Sequence, residues 1–248
     1  MKFTAIPTPI IKENEDLLEI IQQNVAEIPE ESILVVTSKI ISYAQGRLVE
    51  QETGTREEHH ELVKQEADSY LPSSYSKYDT MLAIKNHTLT VNAGVDQSNS
   101  SGKYVLWPEN MQEEANKIWQ FVRDHYGVKK VGVVVTDSRT WPLRWGVIGT
   151  ALVHSGFKQL TSYIGKKDLF GREIEMVQVN IAEAVAAGAA LEMGEVAEQT
   201  PMCLVENIKQ IQFQDRVPTE KELTDLQIEV ENDVYGPFLT SVEWVKRK

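Results

Sequence analysis

The sequence is poor in cysteine, in positive charge and in long apolar runs. Its only cysteine, Cys203, excludes an intrachain disulfide and a thiolate zinc site. No apolar run approaches membrane-spanning length, and the first residues lack the apolar core of a signal peptide, so we expect a cytoplasmic protein with no membrane partner. The 25 basic and 37 acidic residues give a net charge of -12, which argues against nucleic acid and anionic membrane surfaces as partners.

Common catalytic motifs are also absent. The sequence contains no GxxxxGK[ST], GxGxxG, HExxH or GxSxG pattern, which removes the usual phosphate loop, the dinucleotide fingerprint, the zinc protease helix and the hydrolase nucleophile elbow. His59 and His60 are adjacent in a predicted helix, so they point in different directions and do not form a chelating pair. With 248 residues, the chain can form one large domain or two closely packed ones.

Hydrophobic periodicity predicts a mixture of helices and strands. A turn is predicted at residues 42–47, and a hairpin is predicted from strands at 81–84 and 88–91. Further strands are predicted at residues 3–6, 33–36, 131–135, 174–179 and 202–205. Helices are predicted from residue 17 to 25, within 55–70, from 108 to the stop at Gly127, over 181–193 behind a capping box of Asn180 and Glu183, and in the first half of 218–248.

The strand at residues 131–135 is a run of valines interrupted by one glycine, and polar residues follow it at once. These are Thr136, Asp137, Ser138 and Arg139, with Arg144 a few residues later. An acid, hydroxyls and guanidinium groups at the end of a buried strand favour a loop that holds a phosphate or carboxylate. The alternative is a polar turn in which Asp137 caps its own backbone.

A second polar loop follows the strand at residues 88–91. It offers the Asp96 carboxylate beside Gly94 and several amides and hydroxyls, a set that suits magnesium or manganese. The alternative is a turn rich in Asn and Asp. Lys39, just after the strand at 33–36, is either a phosphate ligand or a solvated surface lysine. Carboxylates beside cations favour metal-assisted chemistry on phosphates. The sequence therefore predicts a metal-dependent enzyme that uses a phosphoryl group or nucleotide, and its chemical residues are Lys39, Asp96, Asp137, Arg139, Arg144, Glu195 and Glu198.

Five segments, in order, resemble the coenzyme F420-0:L-glutamate (gamma-glutamyl) ligase family. They are TSKIIS, NAGVDQSN, VVVTDSRTWPLRWG, KKDLFGREI and MGEVAEQTP, within residues 3–205. The chain looks closest to a bacterial branch labelled as folate-metabolism gamma-glutamate ligases. The resemblance implies an α+β fold of mixed and antiparallel sheets with packed helices, in two intimate lobes. It also implies an intertwined homodimer with the active cleft at its interface. We expect a ligase-like domain over residues 1–206 and a C-terminal extension over 207–248 packed on it.

The resemblance further implies an enzyme that uses GTP or ATP to join L-glutamate to a small carboxylate acceptor. The acceptor is a coenzyme F420 precursor or a folate-like molecule, and the reaction proceeds through an acyl phosphate. Manganese or magnesium is the expected cofactor, with potassium as an additional cation. The expected metal ligands are Asp96, Asp137 and Ser138, and the catalytic candidates are Asp96, Asp137 and Arg144. The expected nucleotide-binding residues are Pro9, Ile10, Ile11, Lys12, Ser38, Lys39, Asn99, Gly194, Glu195 and Glu198.

Three positions depart from the family pattern. Tyr43 stands where the pattern has a nucleotide-contacting lysine, Gln97 stands where an acid is common, and residues 139–141 replace an aromatic-glycine-arginine run. The departures leave the metal aspartates in place but leave base preference and acceptor identity open. Two other functions stay open at this stage. They are a metal-dependent phosphotransferase without glutamate, and a non-catalytic nucleotide-binding protein on a ligase scaffold.

Overall fold

The computed structural model describes residues 1–247 as an α+β protein, which confirms the predicted fold class. Its strands include most of the predicted ones. They are β1 Lys2–Ile6, β2 Ser32–Thr37, β3 Leu48–Glu50, β4 Ser69–Tyr70, β5 Leu82–Lys85, β6 Thr88–Val91, β7 Lys103–Val105, β8 Val131–Thr140, β9 Val147–Ser155, β10 Leu160–Ser162, β11 Gln178–Asn180, β12 Met202–Glu206 and β13 Val245–Lys246.

Most of the longer helices follow the predicted segments, whereas the helix at residues 38–44 was not predicted. The helices are α1 Leu17–Asn24, α2 Ser38–Ala44, α3 Arg56–Glu66, α4 Met111–Tyr126, α5 Ile181–Met193, α6 Glu220–Thr224 and α7 Gly236–Leu239, with short 3-10 turns at Ser73–Tyr75, Asn92–Gly94 and Val230–Asn232. Gly127 ends α4 with a positive φ of 67°, as its predicted role as a stop requires. Helix α6 has only five residues, so the helix predicted in the C-terminal segment is much shorter than expected.

The main sheet has five strands in the order β1-β12-β2-β8-β9. Strands β2 and β8 are parallel and the other pairs are antiparallel, which matches the predicted mixed sheet. Alternate residues of the central strands face two separate cores. Leu34 and Val36 pack towards α1, α2 and α4, whereas Ile33 and Val35 pack towards α5. The two parallel strands are therefore covered on both faces, and their carboxyl ends meet at one edge of the sheet.

Helix α5 lies close to the sheet because its side chains are small. A Cβ at Gly188 would collide with the Phe3 ring of β1, and a Cβ at Gly149 of β9 would collide with the α5 backbone at Ala186. The predicted capping box is only half formed. Asn180 Oδ1 accepts a hydrogen bond from the Glu183 amide, but the Glu183 carboxylate accepts bonds from Thr150 of β9 instead of turning back to Asn180.

Three local predictions are wrong. The polar residues after residue 135 are not a loop, because β8 continues to Thr140 and pairs with β9 across a bulge between Val135 and Thr136. Residues 42–44 are helical rather than a turn, since Ser42 Oγ bonds back to the Ser38 carbonyl within α2. The strand predicted at 174–179 shrinks to β11, which begins at Gln178. In the first two cases a segment predicted as a loop or turn forms regular structure, whereas in the third most of the predicted strand is irregular.

A second sheet carries the loop of Asp96. Its order is β13-β4-β5-β6, and the hairpin of β5 and β6 confirms the predicted one. Asn86 and His87 form its turn, with positive φ angles of 50° and 56°. Strand β13 comes from the predicted extension and pairs with β4, so residues beyond 206 complete this sheet. The domain boundary at residue 206, the two lobes and the homodimer stay predictions. Within residues 1–247, no helix combines the length and apolar character needed to cross a membrane.

Candidate active site

A cavity of about 720 Å³ opens where the carboxyl end of β2 meets β8. Every predicted site residue except Arg139 and Arg144 contributes to its wall. The predicted residues in the wall are Pro9, Ile10, Ile11, Lys12, Ser38, Lys39, Asp96, Asn99, Asp137, Ser138, Gly194, Glu195 and Glu198. The structure therefore brings together five segments that are far apart in the sequence, at the sheet edge where the topology leads one to expect a ligand site.

Backbone hydrogen bonds hold the loop after α5 against the rest of the cavity wall. The Thr8 amide donates to the Gln199 carbonyl at 2.9 Å, and the Thr37 amide donates to the Pro201 carbonyl at 3.0 Å. On the opposite side, Asn99 Nδ2 donates to the Val196 carbonyl at 2.7 Å. These bonds join the segment after β1, the end of β2 and the Asp96 loop to the loop at 194–201. Three segments of the cavity wall are thus hydrogen-bonded to this one loop.

Asp96 is held by its own loop and by one cation. The amides of Gln97 and Ser98 donate to its Oδ1, and Ser98 Oγ and Lys39 Nζ donate to its Oδ2. Partial burial by itself would raise the pKa of Asp96. The hydrogen bond and the positive charge of Lys39, together with the Ser98 donors, outweigh burial and leave the pKa lowered. Asp96 is therefore an ionised carboxylate whose oxygens already have donors.

Lys39 is the second residue of α2, and its side chain contacts the Asp96 loop. Its Nζ lies 2.6 Å from Asp96 Oδ2, 2.9 Å from Ser98 Oγ and 3.0 Å from the Ser98 carbonyl oxygen. The lysine was predicted as a phosphate ligand or a solvated side chain. The structure instead makes it the partner of a carboxylate inside the cavity. A phosphate that binds here meets Lys39 as part of an ion pair with Asp96.

Asp137 lies on β8 beyond the bulge, opposite Thr150 of β9. Its Oδ1 accepts a hydrogen bond from the Ser138 amide, and its Oδ2 accepts one from the Trp107 indole Nε1. Burial raises the pKa of Asp137 to about 6, and the negative charge of Asp96 adds to the effect, although the Trp107 and Ser138 donors oppose it. The two aspartates are thus electrostatically coupled, with opposite directions of pKa shift.

The loop after α5 brings two further carboxylates to the cavity. Glu195 accepts hydrogen bonds from Ser138 Oγ, which lies 2.8 Å from both of its carboxylate oxygens. Glu198 turns back and accepts the Val196 amide at 2.9 Å, and that bond lowers its pKa. Its side chain packs directly on Gly194, where a Cβ would collide with the carboxyl group and where φ is +79°. Glycine is therefore required at position 194.

The donor set fits a hard divalent cation such as magnesium or manganese. The carboxylates of Asp96 and Asp137 and the hydroxyl of Ser138 are all oxygen donors, the type these ions prefer. Across residues 1–247, no group of three or more His, Cys, Asp or Glu side chains is arranged to enclose a metal.

Other sequence candidates lie outside the cavity. Arg144 lies in the exposed loop between β8 and β9, where its Nη1 bonds to the Leu143 carbonyl. Arg139 stacks over the Trp141 ring, with its Cζ 4.4 Å from the ring centroid. His59 and His60 make separate contacts with backbone carbonyl oxygens, as expected for residues that do not chelate a metal together. The structure thus leaves both arginines away from the paired aspartates.

The sequence analysis missed two residues that belong to the site. Lys103 lines the cavity and pairs with Glu13 at 2.7 Å and with Glu50 at 2.8 Å, and these bonds raise its pKa. Trp107 donates to Asp137 from a position 30 residues earlier in the chain. Neither residue lies in a polar loop that follows a predicted strand, so the pattern used to choose candidates could not find them.

A smaller cavity of about 420 Å³ lies near the opposite end of β8. Its wall carries four cations and one carboxylate, Asp215, and so lacks paired acids. The cations are Lys129, Lys130, Lys158 and Arg216. The larger cavity is therefore the candidate active site.

Comparison with known proteins identifies the family. The F420-0:Gamma-glutamyl ligase family model matches residues 5–207. The chain belongs to this family. A coenzyme F420:L-glutamate ligase from Archaeoglobus fulgidus is 33% identical over 81% of this chain and 84% of the relative. Proteins of the same name from Methanosarcina barkeri and Methanopyrus kandleri are 32% and 30% identical, over 83% and 82% of this chain and 86% of each relative.

The part of the chain that matches the F420-0:gamma-glutamyl ligase family contains the whole cavity wall, which runs from Thr8 to Pro201. Trp107 and the loop with Arg144 also lie within it. Strand β13 lies outside the match, although it pairs with β4 in the sheet that carries the Asp96 loop. The match therefore confirms the resemblance inferred from the five sequence segments, and the family is one of carbon–nitrogen ligases.

Proposed function

We propose that this protein is a nucleotide-dependent gamma-glutamyl ligase that forms an amide between L-glutamate and a small carboxylate acceptor. The proposal depends above all on one observation. In a member of the F420-0:gamma-glutamyl ligase family, a single cavity gathers Lys39, Asp96, Asp137 and the loop at 194–201. The named relatives are coenzyme F420:L-glutamate ligases, so a coenzyme F420 precursor is the first acceptor to test and a folate-like molecule is the second.

The charge of the cavity supports a nucleotide that arrives with a divalent cation. The cavity wall holds four carboxylates that would repel a free phosphate, those of Asp96, Asp137, Glu195 and Glu198. Lys39 and Lys103, which also line the wall, already form ion pairs with carboxylates. Asp96, Asp137 and Ser138 are the residues that would hold manganese or magnesium, with potassium as an additional cation. When bound, the ion supplies positive charge to the phosphate oxygens. Residues 9–12, Ser38 and Asn99 lie around the same opening and supply the proposed nucleotide contacts.

The proposed reaction has two steps. An oxygen of the acceptor carboxylate attacks the γ-phosphorus of GTP or ATP, and the bond from that phosphorus to the bridging oxygen breaks, giving an acyl phosphate and a nucleoside diphosphate. The amine of L-glutamate then attacks the acyl carbon and loses a proton, and inorganic phosphate leaves. The proposed role of Lys39, which lines the cavity beside Asp96, is to neutralise charge on the transferred phosphoryl group.

We also propose that two copies form a homodimer. Large apolar side chains are exposed around the loop between β8 and β9 and over residues 164–177, which is unusual for a surface that faces only water. Leu169 is 98% exposed and Phe170 is 96% exposed. Leu143, Trp145 and Met176 are similarly open. Arg144 lies among these side chains, so its proposed catalytic contact is made across the dimer interface to the cavity of the other copy.

Phosphate release tests the proposed function. Purified protein is incubated with GTP or ATP, manganese or magnesium, L-glutamate and a candidate acceptor, and each component is omitted in turn. The ligase predicts phosphate release that requires both L-glutamate and acceptor, together with a product one glutamyl unit heavier. Phosphate release that needs acceptor but not glutamate would favour a phosphotransferase. Nucleotide binding without turnover for any acceptor would favour a non-catalytic scaffold.

A further inference from the structure

Trp107 connects the two aspartates of the cavity. Its indole Nε1 donates to Asp137 Oδ2, and its ring covers Gly94, two residues before Asp96. A Cβ at Gly94 would collide with the indole ring, so the absence of a side chain there lets the tryptophan lie flat against the Asp96 loop. Gly94 also has a φ of +72°, a backbone conformation that other residues rarely adopt. One side chain therefore contacts both halves of the proposed metal site.

Trp107 itself contacts a partly buried ionic network on its other side. The residue is 3% exposed, and its carbonyl oxygen accepts a hydrogen bond from Arg47 Nε at 3.2 Å. Lys85 Nζ lies 5.7 Å from the indole centroid, within reach of a cation–π contact. Glu66 bonds to both cations, at 2.9 Å from Arg47 Nη2 and 2.6 Å from Lys85 Nζ. The indole therefore has little freedom to rotate or shift.

A fixed indole N–H restricts the orientation of the Asp137 carboxyl group. The terminal torsion of an aspartate is broad, so its carboxyl plane is set by its hydrogen bonds. Asp137 has one donor on each oxygen, the Ser138 amide on Oδ1 and Trp107 on Oδ2, which leaves further lone pairs for a cation. Removing the Trp107 donor would leave only the amide of the adjacent residue, which cannot fix both oxygens relative to Asp96.

We propose that Trp107 is a positioning residue, which orients the Asp137 carboxylate and holds the Asp96 loop beside it so that both aspartates bind one divalent cation. The inference rests on the proposed function, since it assigns these aspartates to a metal. Trp107 does not touch the cation or the substrates. Its effect passes through Asp137 by the indole hydrogen bond and through the Asp96 loop by contact with Gly94.

Trp107→Phe tests the inference, because it keeps an aromatic ring beside the Asp96 loop while it removes the indole donor and part of the ring volume over Gly94. The matched control is Trp119→Phe. Trp119 is also buried, at 2% exposed, and its Nε1 donates to the Val131 carbonyl in the core rather than to the cavity. Manganese affinity is measured by calorimetry with a non-hydrolysable GTP or ATP analogue. We expect Trp107→Phe to weaken manganese binding by roughly 10–100-fold, as for other partners of metal ligands, and Trp119→Phe to leave it unchanged.

The outcomes separate this inference from the proposed function. If the wild type binds no manganese with nucleotide, the proposed metal site fails and the role of Trp107 fails with it. If the wild type binds manganese and Trp107→Phe binds it equally well, only the positioning role is overturned. Equal losses in both variants would also overturn it, since a buried indole would then matter only for the fold. A loss confined to Trp107→Phe supports the inference.

A second measurement uses only the wild-type protein, so it does not depend on whether a variant folds. In wild-type protein, the indole N–H resonances of Trp107 and Trp119 are assigned by heteronuclear NMR, and magnesium is added with the nucleotide analogue. A positioning role predicts a shift of the Trp107 resonance, because its acceptor Asp137 gains a cation, and little shift of Trp119. If magnesium and nucleotide bind without moving the Trp107 resonance, the indole is not coupled to the metal-binding carboxylate.

Discussion

Lys39 and Asp96 form an ion pair inside the candidate active site, with 2.6 Å between Nζ and Oδ2. The two residues are 57 positions apart and come from different elements, α2 and the loop after β6. The carbonyl oxygen and the hydroxyl of Ser98 supply the other contacts of the ammonium. Binding of a metal and nucleotide must therefore replace this pair or extend it, which makes Lys39 a sensitive position for mutation.

Lys39→Ala should raise the apparent KM for nucleotide by about tenfold or more, because a hydrogen-bonded charge on phosphate contributes about 1.5–3 kcal/mol. The fold should change little, since the pair is partly exposed and Asp96 keeps three other donors. Lys117→Ala, which removes an exposed pair with Glu114, is the control. Steady-state kinetics and a thermal melt measure both effects. Unchanged nucleotide affinity in Lys39→Ala would remove this lysine from the nucleotide site.

Asp96→Asn and Asp137→Asn should each abolish most metal-dependent turnover while keeping side-chain volume. An amide is a much weaker ligand than a carboxylate for magnesium or manganese. Calorimetric titration with metal, in the presence of nucleotide, should show weaker binding for both variants. Asp124→Asn on the exposed face of α4 is a suitable control. If both cavity variants bind metal and turn over like the parent, the metal site lies elsewhere.

The metal-free protein should show a pH-dependent stability that comes from Asp137. Its folded-state pKa of about 6 exceeds the unfolded value of about 3.9, so the folded state binds the proton more tightly. The contribution is favourable near pH 4 and is lost as pH rises through 6. Allowing for partial solvent access, Asp137→Asn should be more stable than the wild type by about 1 kcal/mol at pH 7.5.

Urea unfolding in the presence of a chelator measures this difference at pH 4.5 and pH 7.5. The advantage of Asp137→Asn should shrink at the lower pH, where Asp137 of the wild type is protonated in the folded state. Comparing the two proteins cancels the titration of other groups. The same advantage at both pH values would contradict a raised pKa at Asp137.

The partly buried ion pairs of Glu66 with Arg47 and Lys85 should stabilise the folded protein. Glu66→Gln would leave Lys85 and Arg47 without their shared carboxylate, and we expect a loss of about 2–4 kcal/mol because a buried charge then lacks its partner. Glu61→Gln breaks only the exposed pair with Lys64 and should cost less than about 0.5 kcal/mol. Urea unfolding at neutral pH measures both variants. If Glu66→Gln proved as stable as Glu61→Gln, the network would contribute no net stability to the folded protein.

Light scattering tests the proposed homodimer at concentrations that support activity. The wild type should show the mass of two chains. Replacing Leu169 and Phe170 with aspartate should give a monomer, because charges at the proposed interface oppose its burial. Val234→Asp changes an exposed apolar residue of the extension instead and should stay dimeric. A monomeric wild type would remove the dimer and, with it, any role for Arg144 in the cavity of a partner.

The sequence predicts the parts of the fold that repeat a local pattern. The apolar runs of β2 and the first half of β8, the hairpin of β5 and β6, and the stop at Gly127 all carry such patterns. Strand β9 and the polar end of β8 could not be predicted this way, because pairing with each other, rather than hydrophobic alternation, keeps them extended. Secondary structure made by tertiary pairing leaves little trace in one sequence.

In the candidate site too, some residues could be predicted from local sequence patterns, whereas their contacts with one another could not. Asp96 and Asp137 were predicted from polar segments after strands. Lys39, Glu195 and Glu198 were also chosen from the residues themselves, and the family resemblance supplied the other predicted wall residues. The pair of Lys39 with Asp96 and the bond of Trp107 to Asp137 depend on contacts across 57 and 30 positions. Arg144 was chosen because a cation near Asp137 in sequence suits phosphate. The hairpin of β8 and β9 carries it away from the cavity of its own chain.

Isotope transfer from the acceptor to phosphate tests the central claim most directly. The acceptor carboxylate is labelled with oxygen-18 and incubated with protein, nucleotide, divalent metal and L-glutamate, and phosphate and product are analysed by mass spectrometry. Activation as an acyl phosphate predicts one labelled oxygen in each phosphate released, one added glutamyl unit in the product, and loss of both signals in Asp137→Asn. Unlabelled phosphate, or labelled phosphate that Asp137→Asn releases equally well, would contradict a gamma-glutamyl ligase acting in this cavity.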